Sequence, residues 1–396
     1  MPQRLQRWLQ RGRASAGRVL QGAENGFDWL LRRQRLLHTQ QTWFELIYDS
    51  ALMSVRYYGL SDEESIEFAD GERLTIERRQ LRVPLLLIPP LGVSADAFDL
   101  MPTRSLARYL AARGFRTYLV DWGVPKPQDG LRDLKDYADD LLTEVMEKVR
   151  AHSGVREVSL LGWSLGGLLG LLHAGLPGKA AIRNIVCIAS PIDLRSGGIA
   201  GALAAAADVP TKLIRRHTGF RLEQLDAALF NVPGWLLSLA FKASNPVGSV
   251  TQYLELLRHL SDRAYVEGHA FTARYLNQML LYPGGVVRDV VVKVALDNAL
   301  ADGRVMLGDK QCDLRNIQSA LLVVAGNSDH IVPPAMAHRL IELVRSRDKA
   351  YRLAVGGHLG LLLGSRARQQ VWAPTADWLA KRSGHRRRSK SATRTQ

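Results

Sequence analysis

Gly162-Trp163-Ser164-Leu165-Gly166, with Gly167 behind it, constrains the fold of this chain more than any other stretch. It lies between an apolar run with strand character at 157–161 and a helix-forming run that starts at Leu168. That order predicts a serine on a tight strand-to-helix turn, with its hydroxyl raised above the sheet. The glycines are needed because a Cβ on either side would clash once the serine backbone is forced into a strained conformation. In a chain with 34 glycines the motif alone could also be a glycine-rich packing turn, and the flanking strand and helix favour the elbow. The uncharged run from Leu160 to Leu176 approaches the length of a membrane span. It is read instead as a central strand followed by a helix buried behind it, which gives the same continuous apolar signal.

From residue 73 onward, strand and helix signals alternate. Strands are predicted at 73–77, 83–88, 116–120, 157–161 and 185–189, and helices at 105–113 and 131–152, the latter stopping before Gly154. After Asp193 the rhythm breaks. A long helix-leaning segment follows, punctuated by Pro210, Pro233, Pro246 and Pro283, before strands resume at 319–325 and 351–355 and a last helix covers 367–382. This pattern implies an α/β fold with a mostly parallel sheet covered on both faces and interrupted by a helical insertion. The expected division is a basic N-terminal helical extension over 1–50, core over 51–194, a cap over 195–312, core again over 313–382, and a disordered basic tail over 383–396. The Ala-rich stretch 197–207 reads as an ordinary small-residue helix. A cap placed there would cover the carboxyl ends of the strands, where open α/β sheets bind ligands.

Serine needs a histidine within hydrogen-bond reach, itself oriented by a carboxylate. Two strand ends supply them: the 321–325 run leads into Gly326-Asn327-Ser328-Asp329, and the 351–355 run into Gly356-Gly357-His358. Ser164, Asp329 and His358 thus follow strand ends in the Ser, Asp, His order of an α/β-hydrolase fold. His330 is the rival base, but its place beside the acid suits it to lining the substrate site, as Trp163 also would. Asp121 and Asp193 are rival acids that break the expected order. The oxyanion hole is expected from the backbone N–H of Leu165 and from the loop Pro89-Pro90-Leu91-Gly92-Val93, where prolines lack a donor and leave Leu91 first and Gly92 second.

Several blocks carry a more specific resemblance. They are Asp99-Leu100-Met101-Pro102-Thr103-Arg104-Ser105, the stretch from Gly114 to Gly123 ending in Asp121-Trp122-Gly123, Leu134-Lys135-Asp136-Tyr137-Ala138, Asp329-His330-Ile331-Val332-Pro333-Pro334, and Gly356-Gly357-His358-Leu359-Gly360 with Gly364-Ser365. Over about 45–380 the chain resembles the catalytic subunits of polyhydroxyalkanoate synthases. The resemblance implies an α/β-hydrolase fold with a cap, and nucleophile, acid and base at Ser164, Asp329 and His358. The synthases use cysteine as nucleophile where this chain has serine, and neither Cys187 nor Cys312 lies in an elbow. Thiolate both attacks and leaves readily, which suits polymer growth from a thioester. A serine makes an oxygen ester, as lipases, esterases and depolymerases do.

The expected function is therefore acyl transfer or ester hydrolysis on apolar acyl esters or thioesters, acyl-CoA and (R)-3-hydroxyacyl groups or their polyester included, with no cofactor and no metal. Two cysteines exclude a disulfide framework or a zinc spacing and point to the cytoplasm. Of the net charge of +15, residues 1–37 carry +6 and 381–396 carry +7. Charge confined to the ends, without a base-reading motif, argues against nucleic acid. It suits instead an anionic lipid or polymer-granule surface, which the N-terminal segment would approach as a partly amphipathic helix, and it leaves room for a homo-oligomer. The alternative function is a non-catalytic or weakly catalytic protein held on such a surface. No secretory signal or twin-arginine export signal is read at the N-terminus.

Overall fold

The computed structural model describes residues 3–37, 42–179, 181–218, 220–244 and 246–384. Eight strands form its main sheet: β1 (Glu45–Asp49), β2 (Ser54–Tyr58), β3 (Leu85–Ile88), β4 (Thr117–Asp121), β5 (Val158–Trp163), β6 (Ile182–Ile188), β7 (Ala320–Gly326) and β8 (Lys349–Ala354). Their order is β1-β2-β4-β3-β5-β6-β7-β8. Pairing is parallel from β4 through β8, while β2 runs antiparallel to both of its neighbours. Every residue of β3 and β5 is buried, which is why these strands read as unbroken apolar runs rather than as alternating ones.

The helices α1 (Gln3–Leu31), α2 (Leu106–Ala112), α3 (Leu142–Ser153) and α4 (Leu165–Gly175) precede β6. Between β6 and β7 the chain runs through α5 (Gly198–Thr218), α6 (Gly234–Ala243), α7 (Pro246–Arg258), α8 (Arg263–Asn277) and α9 (Gly284–Asp289), and through a hairpin of Arg304–Leu307 with Lys310–Asp313. Three further helices, α10 (Pro334–Leu343), α11 (Gly360–Leu363) and α12 (Ala373–Ser383), complete the fold. The predicted helix at 131–152 starts later than its composition suggests. The Asp133 carboxylate accepts from the N–H groups of Lys135 and Asp136, so the chain enters the helix there, passes a π turn at Asp136–Leu141, and ends at left-handed Gly154.

Two expectations are corrected. The strand predicted at 73–77 is a short one, Arg73–Thr75, paired with Ser65–Glu67 outside the main sheet. Its outer residues are exposed and only Leu74 turns inward, so it has too little apolar surface for a central place. Conversely, β1 and β2 were not predicted, and β1 begins within the segment read as the N-terminal extension. Their aromatic residues make the strand contact: Tyr57 of β2 faces Tyr118 of β4, with ring centroids 4.9 Å apart. The tail from residue 385 lies outside the described residues, so the expected disorder there falls outside them too. Among the described residues no helix is long and apolar enough to cross a membrane.

Candidate active site

Ser164 stands between β5 and α4 with φ 54° and ψ −125°, a conformation outside the ordinary regions for a non-glycine residue. Its N–H donates to the Ile188 carbonyl at 2.8 Å, so the turn hangs from the neighbouring strand β6. The glycines act as the sequence implies. A Cβ on Gly162 would lie 2.4 Å from the Gly167 Cα, and one on Gly166 would lie 2.0 Å from the Ile88 carbonyl oxygen. The second contact shows how the site is assembled: the loop leaving β3 rests on the first turn of α4. Because backbone faces backbone there, Gly166→Ala is expected to destabilise the protein by about 3 kcal/mol or more. A thermal melt showing an unchanged Tm would contradict that packing.

The structure brings Ser164, His358 and Asp329 into one hydrogen-bonded line. The Ser164 hydroxyl lies 3.0 Å from His358 Nε2, and His358 Nδ1 lies 2.8 Å from Asp329 Oδ2. The other carboxylate oxygen, Asp329 Oδ1, accepts from the N–H groups of Ile331 and Val332, both at 2.9 Å. Acid and imidazole are both buried. The imidazole is further fixed by two rings, Trp163 at 5.4 Å and Phe241 of α6 at 6.2 Å between centroids. Asp121 and Asp193, the rival acids, are occupied elsewhere: Asp121 pairs with Arg56, while Asp193 caps the turn at Arg195 and accepts from Asn298.

Leu165 opens α4 and Leu91 sits in the loop after β3, and both line the cavity at Ser164. Among the described residues neither backbone N–H meets an acceptor within the protein. Gly92 stands beside them with φ 76°, and its carbonyl accepts from the Leu280 N–H. Trp163 lines the same cavity, whereas His330 is exposed and lines a second one that His358 also borders.

The cavity at Ser164 has a volume of about 360 Å³, within the range of ligand pockets. Its walls are hydrocarbon and aromatic, and many come from the segment between β6 and β7, among them Leu237, Phe241, Met279, Tyr282 and Val290. Nothing in the motif pattern pointed to these residues individually. Their helices are apolar on a face that only the fold turns toward Ser164. Both cysteines are buried, and burial pushes each thiol up to about 12, so neither offers a thiolate at neutral pH.

Residues 83–365 match the profile of the alpha/beta hydrolase fold family. The chain is 30% identical over 306 residues to the poly(3-hydroxyalkanoate) polymerase subunit PhaC of Haloferax mediterranei, covering 77% of this chain and 60% of that protein. To the PhaC subunit of Allochromatium vinosum it is 27% identical over 303 residues, or 76% of this chain and 81% of the relative. Among solved structures, a soluble variant of the monoglyceride lipase of Saccharomyces cerevisiae superposes with a TM-score of 0.50 at 14% identity, covering 88% of this chain and 97% of the lipase. That last likeness speaks to the fold alone.

Proposed function

The chain belongs to the α/β-hydrolase fold family and is an acyl-transfer or hydrolase-type enzyme; on that premise we propose that Ser164 is its nucleophile, His358 its general base and Asp329 the acid that orients the base. The observation that carries this reading is the unbroken line of hydrogen bonds from Asp329 to a strained serine at the floor of an apolar cavity. As Ser164 Oγ attacks the carbonyl carbon, its proton passes to His358 Nε2, while Nδ1–H remains bonded to Asp329. The Leu165 and Leu91 N–H groups take the developing oxyanion, with Gly92 as the second choice for the loop donor. Collapse breaks the bond to the leaving alcohol or thiol, which receives the proton from His358. Water or an alcohol then resolves the acyl-enzyme by the reverse sequence.

The apolar walls suit a hydrocarbon-rich acyl group, and residues 195–312 act as the cap that supplies ten of the 24 lining residues. Similarity to poly(3-hydroxyalkanoate) polymerase subunits supports (R)-3-hydroxyacyl groups or their polyester as substrates. An oxygen ester on Ser164 is a poorer acyl donor than a thioester, and passing its acyl group to the hydroxyl of a growing chain only exchanges one oxygen ester for another, so hydrolysis is favoured over chain growth. Hydroxyacyl thioesters, lipid esters and polyester offered in parallel, with product masses measured, test this. Monomer release supports the reading, and polymer accumulation would overturn it.

A surface-bound location is favoured by one observation. On α1 the side chains of Val19, Leu20, Leu30 and Leu31 are each more than two-thirds exposed, on a helix that also bears arginines. The double variant L30E/L31E is therefore expected to lose binding to anionic vesicles or polyester particles in a sedimentation assay. Cleavage of a soluble ester should be retained within about twofold, since surface substitutions of this kind leave the fold intact. Unchanged sedimentation would refute this role for α1.

A further inference from the structure

A second chamber of about 420 Å³ meets the first at Phe241, Ile331, His358 and Leu359. It is more polar than its neighbour, although Phe241, Leu276 and Ile331 also line it. The polar wall is made by Arg33, Lys242, Gln252, His269, Asn277 and His330, and among the described residues no aspartate or glutamate lines it. Arg33 comes from the single turn after α1, so the N-terminal arm forms part of a chamber that opens beside the triad.

The arm is firmly seated. Asn25 Nδ2 donates to the Leu260 carbonyl at 2.7 Å, Asp28 pairs with Arg263 at 2.7 Å, and Leu36 is fully buried against Leu256, Val266 and Ala270. The pairing with Arg263 engages the acid nearest to Arg33 in the arm. The Arg33 guanidinium lies over the Trp29 ring at 5.0 Å, and Trp29 in turn contacts Tyr253 and His269. Among the described residues Arg33 has no ion pair, and its Nε is buried without a hydrogen-bond partner. His269 Nδ1 is also buried without one. Burial and then the charge of Arg33 hold that imidazole below its usual pKa. Lys242 is held by Asn277 at 2.7 Å. A partly buried cation beside an unsatisfied ring nitrogen, in a chamber without acids among the described residues, is suited to a ligand that brings its own negative charge.

We propose that this chamber binds an anionic group, phosphate or carboxylate, carried on the leaving-group side of the ester or thioester, and that Arg33 of the N-terminal arm selects it. The inference rests on Ser164 being the nucleophile. The acyl portion would fill the apolar cavity, and the charged portion would pass His358 into the polar one.

Three thioesters of one acyl group test this, with 2-mercaptoethanol, 3-mercaptopropionate and 2-mercaptoethyl phosphate as leaving thiols. The wild type should favour a charged thioester over the neutral one by about tenfold in kcat/KM, mainly through KM, and lose that preference as salt rises. The charged thiol that wins identifies carboxylate or phosphate as the group bound. Arg33→Ala should abolish the preference, and Arg33→Lys should restore part of it. Thr272→Glu, which places an acid in the same wall without touching the arm, should reverse it. The proposal is overturned if the wild type shows no preference for either anion, or if the preference survives either Arg33→Ala or Thr272→Glu. Failure of the nucleophile reading would look different: fluorophosphonate labelling would persist in Ser164→Ala whatever the thiol.

Discussion

Ser164→Ala is expected to abolish labelling by a fluorophosphonate and to lower kcat by about 10⁶-fold, as loss of a triad serine does. The loss is that large because no other group can replace the hydroxyl. Cys187 and Cys312 are buried, with thiols pushed up to about 12. The variant should still fold. It removes one oxygen and one hydrogen bond to His358, while the turn remains supported by the Ser164 N–H bond to Ile188 and by the packing of Gly162 and Gly166. Circular dichroism and a thermal melt would confirm an intact fold. A folded alanine variant that still labels would remove Ser164 from its proposed role.

Asp329→Asn should reduce kcat by about 10³- to 10⁴-fold with little change in KM, as substitution of a triad aspartate by asparagine does elsewhere. The geometry explains the size. An asparagine oxygen in the place of Oδ1 can still accept from Ile331 and Val332, which turns the amide NH₂ toward His358 Nδ1. A donor there forces the imidazole proton onto Nε2, the atom that must accept the proton of Ser164. The protein would be folded yet hold the wrong tautomer. Asp329→Ala should differ, because two N–H groups then lose a buried acceptor. Its Tm should fall as well, corresponding to about 1–3 kcal/mol for each group left unpaired. If Asp329→Asn retained wild-type kcat, Asp329 would not be the orienting acid.

These predictions rest on residues that are legible in the sequence alone. Ser164 announces itself because a strand-to-helix turn this tight requires glycine on both sides, a local steric demand that leaves a pattern in the sequence. Asp329 and His358 are legible for a related reason: buried parallel strands are continuous apolar runs, and polar residues directly after them stand at the edge where such sheets bind ligands. The strands β1 and β2 were harder to see. At the edge of a sheet one face is solvated, so charged residues interrupt the apolar pattern, and only the aromatic content of 45–58 hinted at pairing.

By itself the sequence determined the fold class, the elbow, and the order of serine, acid and base, since each follows from short-range sterics or from the period of burial. Tertiary structure alone decided what surrounds the triad. The apolar cavity unites the β3 loop, the elbow and the helices between β6 and β7, and the polar chamber joins Arg33 to residues more than 200 positions away. No local periodicity records which faces of separate helices will meet, because that choice is made by packing across the whole core. Nor does a count of charges reveal that an arginine of the basic arm is turned inward beside the triad, without a carboxylate among the described residues to balance it.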